Sequence, residues 1–404
     1  MLTFDYTARD TASNKQVKAT IQAESERAAA KLLVAQGLAP LSITEQSEKK
    51  GLLSRFTNRI TAKDRVIFTR QLATLINAGL PLAQSLHTVI EQTSNKRLKA
   101  IVQEITTSVE GGKSLSESFA QYPKVFNNVF IALISAGEAS GTLDQALERI
   151  ATQQEKDAEL ISKVRGAMVY PMIVLVVIIG VVIFMMVTVM PQIQQLYADL
   201  KQQLPFVTQL LVGIATFVRY FWWTLIIALV AAIYFLRRYI DTPAGRKQWD
   251  GLKLRVPLFG PLFQKLYMAR FARTGETLMA TGVPMLEMLK IASKSVNNVI
   301  VGASITRAAE KVKGGKALSV ALKGDENILP LVPQMISIGE QSGGIDKMMG
   351  KAATFYENEL DNTVKSISTA IEPILMVILA AVAGLMVAAI LLPIYGLVGN
   401  GAIR

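Results

Sequence analysis

One stretch of the sequence has residue types that could bind a nucleotide, Gly111-Gly-Lys-Ser114. A Walker-type phosphate loop also needs a glycine five positions before the glycine that precedes its lysine, and position 107 is Thr. No strand is predicted before this stretch, and a second copy of it has Ala317 in place of the hydroxyl that would bind magnesium. We therefore interpret the stretch as a glycine turn followed by a helix N-cap at Ser114, with Glu117 completing a capping box. The chain is not predicted to be an ATPase.

The residues that usually carry acid-base or metal chemistry are scarce. The chain has one histidine, His87, and no cysteine, which excludes a multi-histidine or thiolate metal site. His87 has Lys290 as its counterpart in the second copy and has no obvious nucleophile or metal partner. A lone histidine of this kind is most simply structural. We predict no catalytic residue, no cofactor and no metal.

A polar loop, Gly-Glu-x-Ser-Gly, occurs twice, at Gly137–Gly141 and at Gly339–Gly343. Its glycines suit a tight turn between helices, and Asp144 and Asp346 follow where the first turn of the next helix would favour a carboxylate. Turn chemistry explains the glycines but not the glutamates. Two interpretations stay open: a structural turn, which we favour, or a contact of Glu138 and Glu340 with a partner or another subunit, with or without a cation.

These loops belong to a duplication that covers about 125 positions. Phe68-Thr-Arg70 is matched 203 positions later by Phe271-Ala-Arg273, and the offset becomes 202 before the Gly-Glu-x-Ser-Gly loops. Arg70 and Arg273 join the four acidic residues above as candidate partner or subunit contacts. The shared residues that we assign to structural turns are Gly79, Pro81, Gly137, Gly141 and Pro171, with their counterparts Gly282, Pro284, Gly339, Gly343 and Pro373.

The composition indicates a membrane protein. Apolar residues make up 51% of the 404 positions, charged residues only 18%, and the mean hydropathy is +0.34. Two stretches without Asp, Glu, Lys or Arg, 166–198 and 373–403, are long enough to cross a bilayer, which takes about 20 residues of helix. A third, 220–236, is slightly short, and its helix is expected to continue through Arg219 into the apolar residues before it. The formal net charge of +12 would suggest nucleic acid in a soluble protein, but here the spans must be explained first.

The predicted fold class is an all-α membrane protein with two repeated helical bundles and three transmembrane helices, preceded by a small module of strand, strand, helix and strand. The predicted segments are the N-terminal α+β module (1–46), a basic linker (47–60), helical bundle 1 (61–165), transmembrane helix 1 (166–190), a short outside loop (191–206), transmembrane helix 2 (207–236), a second basic linker (237–258), helical bundle 2 (259–369), transmembrane helix 3 (370–397) and an outside tail (398–404).

Basic residues give the predicted orientation. Lys163 and Arg165 precede the first span, and six basic residues lie in 237–258, after the second. Because Lys and Arg accumulate on the cytoplasmic side, we expect the N-terminus and both bundles in the cytoplasm and the C-terminus outside. The net charge is concentrated in 49–70 and 237–258, so it is better explained by membrane topology than by nucleic acid. Residues 47–70 either lie on the anionic inner leaflet or form a solvated linker.

The residues then resemble one family over nearly the whole chain. Phe4-Asp-Tyr-Thr-Ala8 and Gly37-Leu-Ala-Pro-Leu41 are similar to the N-terminal module of the PilC/GspF family. Its repeated domain is matched by the sequence around Phe68, by Ala78-Gly-Leu-Pro-Leu82, by the Gly-Glu-x-Ser-Gly loops and by Pro171 and Pro373. Thr11–Asn14 stands where family members often have an Asp-x-x-Gly turn.

The resemblance implies a platform protein of a type IV pilus or type II secretion machine in the bacterial inner membrane, with six-helix bundles and no catalytic activity. It implies as partners a cytoplasmic assembly ATPase, pilins or pseudopilins, other inner-membrane subunits and the lipid bilayer, with self-association and without nucleic acid. The alternative is a small-molecule transporter or channel, which would need polar residues along its spans.

Overall fold

The structure is a computed structural model and describes residues 2–10, 16–23, 26–35, 37–45, 59–199, 206–257 and 259–399. The chain divides into two compact units, Met1–Thr61 with Asn95–Arg97, and the remaining residues. Most of the predicted basic linker (47–60), the predicted outside tail except 398–399, and the first hairpin turn with Thr11–Asn14 lie outside the described residues.

The N-terminal unit has strands and one helix in the predicted order: β1 (Leu2–Asp10), β2 (Gln16–Ala23), α1 (Glu26–Ala35) and β3 (Leu38–Glu45). The three strands form an antiparallel sheet in the order β2-β1-β3. Its register shifts between Thr7 and Ala8, where Pro40 enters the pairing without an N–H to donate. Ala8 and Leu33 are fully buried together, with Leu38 packed against them, so α1 covers one face of the sheet.

The first bundle has six helices. They are α2 (Ala62–Asn77), α3 (Leu82–Gln92), α4 (Lys96–Glu110), α5 (Leu115–Ala120), α6 (Asn128–Ser140) and α7 (Leu143–Asp199). Four rings, Phe68, Phe119, Phe126 and Phe130, lie in its centre with neighbouring ring centroids 4.5 to 6.3 Å apart. Since such rings each bury a large apolar area, they hold α2, α5 and α6 around one core.

The second bundle repeats the same six helices. They are α10 (Gly260–Ala280), α11 (Met285–Ser295), α12 (Val299–Lys313), α13 (Leu318–Leu322), α14 (Leu331–Ser342) and α15 (Ile345–Gly399). The turns repeat as well: Gly79 and Gly282 have φ of 83° and 82°, and each is followed by a proline, Pro81 or Pro284, at the N-cap of the next helix. The duplicated sequence therefore folds twice in the same way.

The last helix of each bundle continues into an apolar segment without a break. α7 has 57 residues and α15 has 55, so the predicted boundaries at 165/166 and 369/370 fall inside continuous helices. Pro171, Pro191 and Pro373 lie within these helices, and the predicted outside loop (191–206) is helical as far as Asp199. In an apolar environment a helix continues past a proline, because ending the helix there would leave more backbone N–H and C=O groups without hydrogen bonds.

The segment predicted as the second basic linker (237–258) is largely helical. α8 (Phe206–Ile240) extends to Ile240, with a kink at Phe221 (φ −115°, ψ 20°), and α9 (Pro243–Arg255) follows at once. Thr242 caps α9 by accepting a hydrogen bond from the Gly245 N–H at 3.1 Å, and Pro243 occupies the first turn. A Thr-Pro pair is typical of a helix start, but the linker prediction rests only on the basic residues of this segment.

Candidate functional site

The two Gly-Glu-x-Ser-Gly loops connect the fifth and sixth helices of each bundle. Gly141 and Gly343 end α6 and α14 with φ of 72° and 74°, a left-handed conformation that glycine adopts without strain. The first glycine of each loop has another role. A Cβ at Gly137 would lie 2.6 Å from Ala146 Cβ, and one at Gly339 would lie 2.7 Å from Ile345 Cα. These glycines therefore permit the close approach of the following helix.

The glutamates of the loops cap a short helix of their own bundle. The Glu138 carboxylate accepts hydrogen bonds from the backbone N–H groups of Leu115 and, at 3.0 Å, of Ser116, the first residues of α5. The Glu340 carboxylate accepts hydrogen bonds from the N–H of Ser319 at 3.2 Å and from its hydroxyl. A carboxylate at this place satisfies N–H groups that a helix leaves unpaired at its start.

Ser114 is the N-cap of α5 and accepts a hydrogen bond from the Glu117 N–H at 3.1 Å. The structure thus bears out the cap interpretation of Gly111-Gly-Lys-Ser114. In the second bundle Ala317 offers no side-chain cap, so the contribution of Glu340 is larger there. Asp144 and Asp346 lie in the first turns of α7 and α15, as predicted. A partner contact of these four acidic residues stays a prediction.

We expect Glu340→Gln to lower the free energy of unfolding of the second bundle by about 1–3 kcal/mol, because a charged acceptor of two hydrogen bonds is replaced by a neutral one. Glu138→Gln is expected to cost the first bundle less, because Ser114 still caps α5. Urea unfolding of the full-length protein in detergent measures both changes. Equal losses for the two variants would contradict the assigned caps.

Arg70 joins the first and last helices of bundle 1. Its guanidinium forms a two-pronged ion pair with Glu155, in which Nε and Nη2 each donate at 2.6 Å, and Nη1 donates to Glu148 at 2.6 Å. Nη2 also donates to the Thr152 hydroxyl at 3.2 Å. The hydrogen bonds to Glu155 and Glu148 raise the pKa of Arg70 above its ordinary value. The guanidinium therefore stays charged and fixes α2 on α7.

Arg273 repeats this arrangement in bundle 2. Its Nε and Nη2 donate to the two oxygens of Glu357 at 2.9 and 2.8 Å, and Nη2 donates to the Thr354 hydroxyl at 3.2 Å. Glu357 and Thr354 are 202 positions after Glu155 and Thr152, so the second copy keeps these two partners. The candidate contacts Arg70 and Arg273 are engaged inside their own bundles.

The second carboxylate on each arginine comes from a different helix. In bundle 1 it is Glu148 on α7, and the counterpart of Glu148 is Gly350. In bundle 2 it is Glu276 on α10, which accepts from Arg273 Nη1 at 2.6 Å and whose counterpart is Ala73. A Cβ at Gly350 would lie 2.7 Å from Glu276 Cδ. The two bundles thus place the same charge in nearly the same space from opposite helices.

Among the described residues, three polar contacts join the bundles to each other. Gln153 Nε2 donates to the Thr274 hydroxyl at 3.2 Å, the Asp157 carboxylate lies 3.6 Å from Arg270 Nε, and Lys163 Nζ donates to Asp361 at 2.7 Å. Sequence reasoning missed these residues, and it missed Glu155 and Glu357. The repeated pair Glu155 and Glu357 was visible in the self-comparison, whereas the contacts between bundles occur once and leave no such signal.

The remaining polar groups form no reactive set. His87 lies 2.8 Å from Glu110 on the surface of bundle 1, with the His87 side chain 60% exposed. In the part of the chain that the structure describes, no group of three His, Asp or Glu side chains could hold a metal ion. The arrangement therefore has a structural role: in each bundle, an arginine ion pair fixes the first helix on the long last helix, and the glutamate of the loop caps a short helix.

Three helices are long and apolar enough to cross a membrane: Leu143–Asp199, Val212–Ile240 and Ile345–Ala388. α7 and α8 meet in an apolar cluster of Met190, Ile193, Tyr197, Val212 and Ala215, with Ile390 of α15 packed against it. Between α7 and α15 lies a crevice lined by apolar side chains, namely Val182, Met185, Met186, Met190, Val382, Leu385 and Met386.

Two family profiles match the chain. The profile described as type II secretion system (T2SS) protein F matches twice, over residues 68–191 and 271–393. The profile described as type II secretion system protein F, N-terminal domain, matches residues 1–44. Each match of the first profile runs from the first helix of a bundle into its long apolar helix, so the profile and the self-comparison find the same repeat.

Curated relatives match along the full length. The type IV pilus assembly protein PilC of Thermus thermophilus is 38% identical over 412 residues, which covers 100% of both chains. PilC of Myxococcus xanthus is 35% identical over 96% of this chain and 94% of its own. The type II secretion system protein F of Vibrio cholerae is 33% identical over 98% of each chain. The chain is thus similar to proteins of both kinds of machine.

Proposed function

Because the chain belongs to the PilC/GspF family of type II secretion system F proteins, we propose that it is the inner-membrane platform protein of a type IV pilus or type II secretion machine. The platform proteins of this family are non-catalytic. In the proposed role the chain couples a cytoplasmic assembly ATPase to the insertion of pilin or pseudopilin subunits into a fibre.

The observation that carries this proposal is the continuity of α7 and α15. At 1.5 Å per residue, α7 is about 85 Å long. Its first part carries Glu155, which pairs with Arg70 of the bundle, and the same helix continues into the apolar segment beyond Arg165. α15 does the same from Arg273. A movement imposed on a bundle would thereby be transmitted into the bilayer along one continuous helix. Such coupling is what a platform between an ATPase and membrane-embedded subunits requires.

The proposed topology has the N-terminus and both bundles in the cytoplasm and the C-terminus outside. Its support is the basic residues beside the bundles, of which Arg237 and Arg238 end α8. Within this topology Asp144 and Asp346 are half-exposed at the bundle turns, which suits them better for contact with the ATPase or another subunit than the engaged Glu138, Glu340, Arg70 and Arg273. The alternative, a small-molecule transporter, would need a polar path, and the crevice between α7 and α15 is apolar.

We expect a four-residue Gly-Ser-Gly-Ser insertion after Arg165 to abolish pilus assembly or secretion in the source bacterium. The insertion breaks α7 between its bundle and its span, while membrane insertion and co-purification of the assembly ATPase with the full chain should remain. The measurement is surface fibres or secreted protein in a deletion strain carrying the variant. The matched control is the same insertion between α7 and α8, which leaves both long helices intact and should complement the deletion.

A deletion strain that keeps its fibres and its secretion would contradict the platform role, as would a full-length chain that never co-purifies with the ATPase. Full activity of the Arg165 insertion would contradict the rigid coupling through α7. Flux of a small molecule through the purified chain in liposomes would favour the transporter instead.

A further inference from the structure

The apolar crevice between α7 and α15 adjoins a second crevice, which lies between α7 and α8. Met186 and Met190 line both of them. The first crevice has a volume of about 200 Å³ and the second of about 190 Å³. Together they reach the lower end of the range for small-molecule sites, roughly 300–1,000 Å³. The three apolar helices therefore enclose a joint crevice that is large enough for part of a ligand molecule.

The two parts of the joint crevice differ in polarity. The first is lined by aliphatic and methionine side chains, whereas the second also has the polar side chains of Gln194, Thr216, Arg219 and Tyr220. Val182, at the apolar end, lies twelve residues before Gln194 on α7, which is about 18 Å of helix. One leaflet of the hydrocarbon core is about 15 Å thick. The change from apolar to polar thus takes place over the length of one lipid leaflet.

Arg219 lies at the level of the lipid headgroups. It is the only charged residue in the segment 202–236, and it is eighteen residues before Arg237 on α8. That separation is at most about 27 Å along the helix, close to the hydrocarbon thickness of about 30 Å. Tyr220 and Trp222 beside it are exposed, as in the aromatic belts that mark the membrane–water boundary. The polar end of the joint crevice therefore faces the headgroup region.

The charge of Arg219 is not neutralised within the described part of the chain. The Arg219 side chain is exposed, none of the ion pairs among the described residues includes it, and the crevice that it lines has no Asp or Glu. A cation inside a span is costly unless an anion accompanies it. A guanidinium suits the oxygens of a phosphate, to which it can donate two parallel hydrogen bonds. Without a carboxylate nearby, a headgroup ammonium would have no partner here, so a lipid of net negative charge fits best.

The apolar part of the joint crevice suits a flexible chain. Four of its seven lining residues are methionines, Met185, Met186, Met190 and Met386. Methionine side chains are unbranched and adapt to irregular shapes. Because the lipid tails around the protein are equally apolar, the crevice gains little from the hydrophobic effect. We therefore expect the shape of the crevice to orient an acyl chain and Arg219 to select the headgroup.

We propose that the joint crevice binds one anionic phospholipid. Its phosphate accepts hydrogen bonds from Arg219, and one acyl chain runs past Met186 and Met190 into the crevice between α7 and α15. The bound lipid holds α8, which has no counterpart in the duplication, to the two long helices. In the proposed topology it belongs to the outer leaflet. The site itself depends only on the three spans, whichever machine the chain serves.

Native mass spectrometry of the full-length protein, purified in mild detergent and stripped of lipid, tests the polar end of the site. We expect phosphatidylglycerol to bind at one molecule per chain and at least about ten-fold more tightly than phosphatidylethanolamine. Arg219→Gln should weaken the binding of phosphatidylglycerol at least about ten-fold, which corresponds to 1.4 kcal/mol. Arg237→Gln is the matched control, because it removes the same charge from the other end of the span, and it should leave this binding unchanged.

Two neighbouring positions on α7 test the apolar end. Val182→Phe fills part of the crevice and should weaken the binding of long-chain phosphatidylglycerol at least about ten-fold, while a form with six-carbon chains binds as before. Val181→Phe is the control for the added ring, because Val181 is 44% exposed and does not line the crevice. It should leave the binding of both forms unchanged.

Equal binding of phosphatidylglycerol and phosphatidylethanolamine, full binding by Arg219→Gln, or equal effects of Val181→Phe and Val182→Phe would each overturn the proposal. It would also be overturned if no phospholipid bound and a thiol at Val382→Cys, in a chain that has no other cysteine, were cross-linked in membranes to another protein. These measurements do not use fibre assembly or secretion as a readout, so failure of the lipid site leaves the platform role to its own test.

Discussion

Arg273→Met is expected to lower the free energy of unfolding of bundle 2 by about 3–5 kcal/mol, the usual cost of removing one partner from a buried ion pair. The Glu357 side chain is only 14% exposed and Arg273 only 22%. Without the guanidinium, Glu357 would keep a charge with little water around it, and Glu276 would lose its contact as well. The effect comes from the carboxylates left behind more than from the attraction that is lost.

The same change in bundle 1 provides the comparison. The side chains of Arg70, Glu148 and Glu155 are 31%, 45% and 41% exposed, so water replaces part of what the guanidinium supplied. We therefore expect Arg70→Met to cost bundle 1 about 1 kcal/mol, near the upper end for exposed pairs. Arg273→Lys keeps the charge but loses the two-pronged geometry, and should fall between wild type and Arg273→Met.

Thiols introduced at equivalent buried positions can follow each bundle separately in the full-length protein. Ala151 and Ala353 are both 0% exposed and lie 202 positions apart. Labelling of Ala151→Cys and of Ala353→Cys by a thiol reagent, as urea is increased, reports the opening of bundle 1 and bundle 2. Arg273→Met should shift the Ala353→Cys transition and leave the Ala151→Cys transition in place. Equal shifts of both transitions, or no shift, would contradict the assigned ion pair.

Self-comparison of the sequence is enough to predict the two bundles and the three long apolar segments, because both leave regular signals. A constant offset relates Arg70 to Arg273, and uncharged runs mark the spans. Helix ends are harder to predict. Pro171 and Pro373 were predicted as structural turns, but each lies inside a long helix. In an apolar environment the helix continues because its backbone N–H and C=O groups have no other hydrogen-bond partners there.

The candidate site shows where sequence patterns stop being informative. The Gly-Glu-x-Ser-Gly loops were predicted as turns, but the partners of Glu138 are N–H groups 22 and 23 positions earlier. Backbone N–H groups have no sequence signature, so nothing in the pattern could name them. Arg70 was singled out because it is repeated, but its carboxylates lie 78 and 85 positions away. Such pairings follow from how α2 packs on α7, which periodicity alone does not fix.

The exchange of the second carboxylate gives the last expected result. Gly350→Glu in bundle 2 should destabilise that bundle by about 2–3 kcal/mol, because the new side chain enters space held by Glu276 and adds a third carboxylate beside Arg273. Glu276→Ala alone should cost about 1 kcal/mol through one lost charged hydrogen bond. The double variant reproduces the Ala73 and Glu148 arrangement of bundle 1, and should recover to within about 1 kcal/mol of wild type.

The two carboxylates are thus expected to couple strongly, although they stand on different helices and never occur together in one bundle. A double-mutant cycle read from the Ala353→Cys transition measures this coupling, which for groups in contact amounts to about 0.5–3 kcal/mol. Gly350→Gln supplies the control for size, since it fills the same space without the charge, and it should be rescued by Glu276→Ala less completely than Gly350→Glu. If the effects of the single changes on the free energy of unfolding simply add, then Glu276 is not the equivalent of Glu148 as the second carboxylate beside the arginine. In that case the two bundles share only the pairing of the arginine with Glu155 or Glu357.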